Sequence, residues 1–332
     1  MFRKLNVLII GGGMYVCGRG SSKNDFGTIL PAVLEARKNN IVKNISVATT
    51  SSKSSLYVKK ILNKLSILIN TNNKCNFFPK KNKKASSYLD AIKNEKPDVC
   101  ILSVPDHLHY KIAVDIMHLK IHCLIVKPLA TNLKHAKLMT NIAKKNKIIA
   151  QVEFHKRYDE SNLVIRDLFK SDKLGKLLYV SNHYSQKKII PTKIFKKWSS
   201  KTNIFQYLGV HYVDLIYFIT DFKPKNVTAW GQKEYLIKNN INTYDSIQAV
   251  IEWEKPNKGK FISTHLCNWI DPNNSSAMSD QQLLFVGTKG RIQADQKNRG
   301  LEFVSDDDNI SVINPYFNLS KISPIDNKLN FS

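Results

Sequence analysis

Over roughly the first 150 residues, short apolar runs alternate with stretches whose apolar residues recur every three or four positions. The runs predict strands at Val7–Ile10, Ile45–Ala48, Asn76–Phe78, Val99–Val104, Ile121–Val126 and Ile148–Val152. The periodic stretches predict helices at Thr28–Lys38, Leu56–Leu68, Tyr88–Asn94, Leu108–Leu119 and Leu133–Lys145. Ile29, Val33 and Leu34 share one face of the first helix, and Asp106 stands where it would cap the fourth. Strands that are apolar throughout are buried on both faces. The expected unit is therefore a doubly wound parallel sheet with helices on each side.

After Val152 the rhythm changes. A helix at Asn162–Phe169, a strand at Leu177–Tyr184 and a long apolar helix at Phe205–Ile219 come first. Strands at Asn226–Gln232, Ser246–Trp253, Lys260–Trp269, Gln281–Val286 and Gly290–Asp295 follow with no helix between them. Ile247, Ala249, Ile251 and Trp253 alternate with other residues, as in a sheet with one buried face. Pro256-Asn257-Lys258-Gly259 and Gly287-Thr288-Lys289-Gly290 have hairpin-turn chemistry. The expected fold is α/β. Residues 1–152 form a parallel-sheet domain, and residues 153–332 form an α+β domain with an open, mainly antiparallel sheet. The tail after Ser305 is polar and weakly patterned.

Composition narrows the function classes. With 332 residues, 42% hydrophobic and 23% charged, the chain is long enough for two cores and ordinary enough to fold. No apolar run approaches the roughly 18 residues of a membrane span. The run Val7–Ile10 is too short for a signal-peptide core, so a cytoplasmic protein is expected. Cys17, Cys75, Cys100, Cys123 and Cys267 form no C-x-x-C pair, which argues against a zinc ribbon or a disulfide framework, and no metal is expected.

The net charge is +25, and lysine supplies 44 of the 51 basic residues. Nucleic-acid surfaces favour the arginine fork, so no specific nucleic-acid partner is expected. The run Lys80-Lys81-Asn82-Lys83-Lys84, just after Phe77 and Phe78, reads as a solvated loop, with a polyanion contact as the rival reading. The field itself favours small anionic ligands.

Gly11-Gly12-Gly13 follows the first strand directly. Glycines there let the backbone turn tightly and approach a pyrophosphate. Gly11 and Gly13 match the G-x-G-x-x-G pattern, whereas Val16 occupies its third position. The segment onward to Gly27 holds Arg19, Ser21, Ser22 and Lys23, which either cover phosphates or form a plain loop. Where the second strand ends, an acid would hold ribose hydroxyls. The chain instead has Thr49, Thr50, Ser51, Ser52 and Lys53, which suits a 2′-phosphate, so NADP is favoured over NAD. The same stretch also suits a helix cap.

Three further segments complete the picture: Glu95 to His109, Ile125-Val126-Lys127-Pro128-Leu129-Ala130, and Tyr207-Leu208-Gly209-Val210-His211-Tyr212-Val213-Asp214. Together with the glycine segment, in this order, they resemble the Gfo/Idh/MocA oxidoreductases, NAD(P)-dependent enzymes acting mostly on sugars, sugar nucleotides and cyclitols. The resemblance runs from the first strand to about Asp295. It implies a Rossmann domain whose cofactor is lined by Gly11, Gly13, Met14, Thr50, Ser51, Ser52, Lys53, Ser103, Val104, Pro105, His109 and Lys127. The lysine of the family's Glu-Lys-Pro signature matches Lys127, and the histidine of a later signature matches His211. Two positions depart from the family: its glutamate is Val126 here, and an aspartate four residues before the histidine is Tyr207.

The resemblance makes Lys127 and His211 the catalytic pair, with Tyr207 as a phenol that relays the proton or merely shapes the pocket. It adds His155, Arg157, Tyr184 and Trp198 as substrate contacts, and Asp271, Asp280 and Gln281 as weaker ones. Chemistry supports Lys127 separately, because an ammonium at the carboxyl end of a buried strand is partly desolvated and its pKa falls. Asp214, three residues after His211, is placed to accept a proton from the imidazole; otherwise His211 is a satisfied core histidine. Arg157 reads equally as an interdomain ion pair, and Trp198 as either a sugar platform or core.

The expected protein moves a hydride between a nicotinamide and a secondary hydroxyl or ketone of a carbohydrate, and pairs through its open sheets into a homodimer or homotetramer. The rival reading is a non-catalytic binding protein of the same fold.

Overall fold

The computed structural model describes residues 3–20, 25–82, 84–275, 278–295, 300–305 and 311–313. Ser21, Ser22, Lys23, Lys83 and most of the polar tail lie outside the described residues. The chain divides into two compact units, one ending at Glu153 and the other beginning at Phe154.

The first unit holds β1 (Leu5–Ile10), α1 (Met14–Cys17), α2 (Ile29–Lys38), β2 (Val42–Ala48), α3 (Ser52–Ile69), β3 (Asn76–Phe78) and α4 (Ser87–Glu95). It continues with β4 (Val99–Leu102), α5 (His109–His118), β5 (His122–Val126), α6 (Leu133–Lys145) and β6 (Ala150–Glu153). All six strands are parallel, in the order β3-β2-β1-β4-β5-β6. The order reverses between β1 and β4, and open sheets of this kind bind ligands at the carboxyl ends beside that reversal. Two apolar layers cover the sheet. Val7, Ile9 and Val47 face α2 and α3, while Leu8, Ile10 and Leu102 face α4, α5 and α6. This two-sided burial is why the strands read as unbroken apolar runs.

The second unit begins with a 3-10 turn at His155–Tyr158 and α7 (Glu160–Lys170). It then has β7 (Leu177–Lys187), α8 (Val210–Thr220), β8 (Lys223–Gln232), α9 (Tyr235–Lys238), β9 (Ser246–Lys255) and β10 (Gly259–Asp271). The last strands are β11 (Ser279–Gly287), β12 (Gly290–Asp295), β13 (Gly300–Ser305) and β14 (Ser311–Ile313). The eight strands run β14-β13-β12-β11-β7-β10-β9-β8, with β7 and β10 parallel and the other neighbours antiparallel. One face buries Phe261, Ser263, His265, Cys267 and Trp269 of β10 and Ala249, Ile251 and Trp253 of β9 against α7 and α8. The opposite face exposes Tyr179, Val250, Ile262 and Leu266.

The structure corrects or extends the sequence reading at four points. Asp106 does not cap α5; it lies inside a 3-10 turn, Asp106–Leu108, and Leu108 takes the cap position. The helix expected at Phe205–Ile219 begins with a π turn, Phe205–Gly209, before α8, and the Phe205 ring lies against Gly209, where an added Cβ would come within 2.8 Å of it. Within the weakly patterned tail after Ser305, Ser311–Ile313 nonetheless forms β14, paired antiparallel to β13, which itself extends the sheet from β12. The segment after Gly13 opens with a single turn of helix, α1, which the pattern of the sequence does not announce.

Candidate functional site

In the first unit the glycines define a bend at the end of β1. Gly11 has φ 129, and a Cβ there would stand 2.0 Å from the carbonyl oxygen of Ser103. Its amide donates to Ala48 O at 2.9 Å, and the amide of Ser103 donates to Ile10 O at 2.9 Å. This residue therefore locks the ends of β1, β2 and β4 together. Gly12 is nearly as tight, with Thr49 and Val58 methyls at 3.0 and 3.1 Å from an added Cβ. At Gly13 an added Cβ would meet nothing within 4 Å, and the residue is exposed beside the half-buried Met14. Two glycines held by packing and one facing open space fit a backbone that a phosphate group approaches closely. Val16, at the pattern's third position, is instead a core residue, fully buried in the layer under α2 and α3.

The stretch after β2 is a cap as well as a candidate lining. Ser51 Oγ accepts from the amide of Ser54 at 3.2 Å, and Thr49 Oγ1 bonds Ser51 O at 2.8 Å. No acidic residue occupies the first turn of α3. Arg19 crosses from the glycine segment to this turn. Its guanidinium donates to Ser54 Oγ at 2.8 Å and lies 5.4 Å from the Tyr57 ring centroid. The lysine run also converges here. Ser52 N donates to Asn82 O and Lys84 N donates to Thr50 O, both at 3.0 Å, while Lys80, Lys81 and Lys53 are exposed. Lys84 itself is paired with Asp90 at 2.6 Å.

Ser103, Val104 and Pro105 follow β4, where the bend at Gly11 meets them. His109 is buried. Its Nδ1 lies 2.6 Å from Pro128 O and its Nε2 lies 2.9 Å from Val104 O. It ties the β4 loop to the turn after Lys127 rather than facing outward.

Lys127 directly follows β5 and is 6% exposed. Burial pushes its ammonium down from 10.5 to about 8, an effect partly opposed by the carboxylates of Asp106 and Glu153. An amine in this condition exchanges protons near neutral pH. Sequence reasoning missed Glu153, because the expected strand stopped one residue short of it.

In the second unit the residues fall into two groups. His211, buried on α8, lies edge-on to His155 at 4.8 Å between ring centroids and 6.2 Å from Tyr184. Tyr184 in turn packs edge-on against Tyr212 at 5.5 Å, and Lys156 lies over both phenol rings at 5.4 and 5.6 Å. Burial drives the Tyr184 hydroxyl well above its ordinary pKa. The second group is built around Tyr207 on the π turn, with Phe195, Trp198 and Trp269 at 5.3, 5.9 and 5.7 Å. Trp198 also packs on Phe195 at 4.5 Å.

Asp214 does not serve the imidazole as expected. Both its carboxylate oxygens bind Arg157, Oδ2 to Nε at 2.7 Å and Oδ1 to Nη2 at 2.5 Å. That fork also corrects the reading of Arg157 as an interdomain pair, since both residues belong to the second unit. Among the weaker candidates, Asp271 accepts from Ser275 Oγ and Gln281 donates to Ser279 Oγ, while Asp280 is half-buried on β11.

Two family models match the chain. An oxidoreductase-family NAD-binding Rossmann fold covers residues 5–154, and a GFO/IDH/MocA C-terminal domain covers residues 163–293. Glucose-6-phosphate 3-dehydrogenase of Bacillus subtilis is 23% identical over 160 residues, 46% of this chain and 44% of that protein. Inositol 2-dehydrogenase of Salmonella typhimurium is 22% identical over 150 residues, 45% of this chain and 43% of that protein. The matched part thus spans less than half the length of either relative. An inositol dehydrogenase homologue from Azotobacter vinelandii, in complex with NADH and myo-inositol, has a similar fold, with a TM-score of 0.69 and 14% identity over 94% of this chain and 76% of that one. A UDP-N-acetylglucosamine 3-dehydrogenase from Acidithiobacillus ferrooxidans superposes with a TM-score of 0.64 and 15% identity, over 94% and 83% of the two chains.

Proposed function

Because this chain belongs to the Gfo/Idh/MocA oxidoreductases, with an NAD-binding Rossmann domain, we propose that it is a dehydrogenase or reductase acting on a secondary hydroxyl or ketone of a sugar, sugar nucleotide or cyclitol. The observation that carries the reading is the buried Lys127 amine at the carboxyl end of β5, in the same unit as the glycine bend at Gly11 to Gly13. A bound nicotinamide supplies the site of hydride gain or loss. This chain's own residues handle the proton. In oxidation the neutral Lys127 amine accepts the hydroxyl proton, and in reduction its ammonium returns it. His211, with His155 and Tyr184 around it, is the second proton-handling side chain. The ring cluster around Tyr207 favours a packing role for that residue, which leaves the proton to Lys127 and His211.

NADP suits the site better than NAD. The first turn of α3 lacks an acid for ribose hydroxyls, whereas Arg19 and Lys53 lie on or against it and the lysine loop is hydrogen-bonded to it. The exposed apolar face of the eight-stranded sheet suits a second copy of the chain, which sedimentation would register as a dimer or tetramer.

The test is a screen of hexoses, uronic acids, inositols and nucleotide sugars with both cofactors, followed at the absorbance of the reduced nicotinamide. Turnover that rises with pH through about 8 in the oxidative direction supports Lys127 as the base. The absence of acids at Val126 and Tyr207 favours a second reading, a cofactor- or sugar-binding protein without turnover. Dinucleotide binding with no turnover across the screen selects it.

A further inference from the structure

A catalytic amine needs a fixed position as well as a suitable pKa. The residue before Lys127 on its own strand is apolar Val126, so β5 provides no carboxylate to hold the amine. The neighbouring strand does. In the β5–β6 ladder Val126 pairs with Glu153, the last residue of β6 and half-buried. Glu153 also reaches the glycine segment: Tyr15 on α1, two residues beyond Gly13, donates its hydroxyl to Glu153 Oε1 at 3.1 Å.

We propose that Glu153 is a positioning residue that holds the Lys127 amine and, through Tyr15, ties it to the glycine segment. The inference rests on Lys127 being the proton-handling group. Lys127 directly follows Val126, which the ladder pairs with Glu153, and the Glu153 carboxylate favours the charged amine, so a strand pair whose β5 lacks an acid still supplies one that acts on Lys127. Other charged and titratable groups act on the same region. Asp106, buried in the turn after β4, also favours the ammonium. His109 holds the following turn through Pro128 O, and Tyr15 is bound to Glu153 itself. Asp106 remains when Glu153 is neutralised, so the amine loses one of two carboxylates, and its pKa falls below about 8 without collapsing.

The experiment uses the full chain without cofactor or substrate. Lysine side-chain nitrogens are labelled with ¹⁵N, and the Lys127 signal is assigned by its loss in Lys127→Met. In Glu153→Gln the Lys127 midpoint moves to lower pH by about half a unit or more, a shift a merely structural residue would not produce. In turnover assays Glu153→Gln lowers kcat about tenfold and moves the pH–rate midpoint the same way, and Glu153→Asp recovers part of the rate. Tyr15→Phe keeps the carboxylate and so leaves the Lys127 midpoint in place, while KM for the dinucleotide rises. An unchanged Lys127 midpoint in Glu153→Gln overturns the proposal. So does a shifted midpoint with kcat kept within twofold. If the wild-type chain turns nothing over, the dehydrogenase reading fails, and with it the catalytic part of this one. The NMR shift then still reports separately whether Glu153 holds the amine.

Discussion

The end of β5 in the first unit and the amino end of α8 in the second carry the two proposed proton-handling groups, and they are built in opposite ways. Lys127 owes its properties to backbone position. It follows a buried strand, where the sheet stops and its ligand face begins, and its desolvation comes from that address. His211 owes its properties to side chains gathered from afar. His155 comes from the turn after β6, Tyr184 from the middle of β7, and α8 itself is anchored by the fork between Asp214 and Arg157. The first kind of site is specified by one strand and a few neighbours; the second needs the whole unit to be folded. Substitutions at the two sites should therefore separate activity from stability in different ways.

Lys127→Met should give the largest separation. Without the amine, kcat/KM falls about a thousandfold. Stability moves the other way. The unfolded lysine titrates at 10.5 and the folded one at about 8, so below pH 8 both states are charged and the fold bears the full desolvation penalty, about 3 kcal/mol as an upper bound. Between those two values the unfolded state binds more protons, and wild-type stability rises with pH. Above 10.5 the penalty is gone. The variant is thus more stable than wild type at pH 7, and the difference closes towards alkaline pH. Denaturant melts at several pH values check this; a variant less stable at pH 7 contradicts the desolvation account.

His211→Asn comes next. Loss of the imidazole costs about a hundredfold in kcat, and the removal of a buried ring packed on His155 and Tyr184 lowers stability as well. Activity and stability fall together here, in contrast to Lys127. A double-mutant cycle with Lys127→Met sharpens the comparison. If both side chains act on one proton, the double variant is little worse than Lys127→Met alone, whereas full additivity means they serve separate steps.

The same contrast explains what could be read in the sequence. The ends of β1, β2 and β5, the glycine bend and Lys127 were legible because each is a local fact: a run of apolar residues, a φ that only glycine takes easily, a charge where the run stops. Glu153 was not, because its relation to Val126 exists only in the ladder between β5 and β6. Asp214 was assigned to His211 from spacing on one helix, yet its partner Arg157 lies 57 residues away. The lysine run looked like solvated surface, and only its hydrogen bonds to Thr50 and Ser52 tie it to the end of β2. Tyr207 stands four residues before His211, about one helical turn, but a π turn intervenes and the two rings have different neighbours.

Tyr207→Phe should have the smallest effect of the set, and it tests that last point. The ring sits among Phe195, Trp198 and Trp269, and those contacts need no hydroxyl. If packing is its role, Tyr207→Phe keeps kcat within about threefold, while Tyr207→Ala opens a cavity and destabilises the unit by about 3 kcal/mol. A relay role reverses the pattern: the phenylalanine variant then loses well over about tenfold in kcat with its melting temperature unchanged. That outcome would make the second-unit site depend on a hydroxyl that stands in for the family's aspartate. The second-unit site would then, like the strand end at Lys127, be set by a single polar group rather than by packed rings.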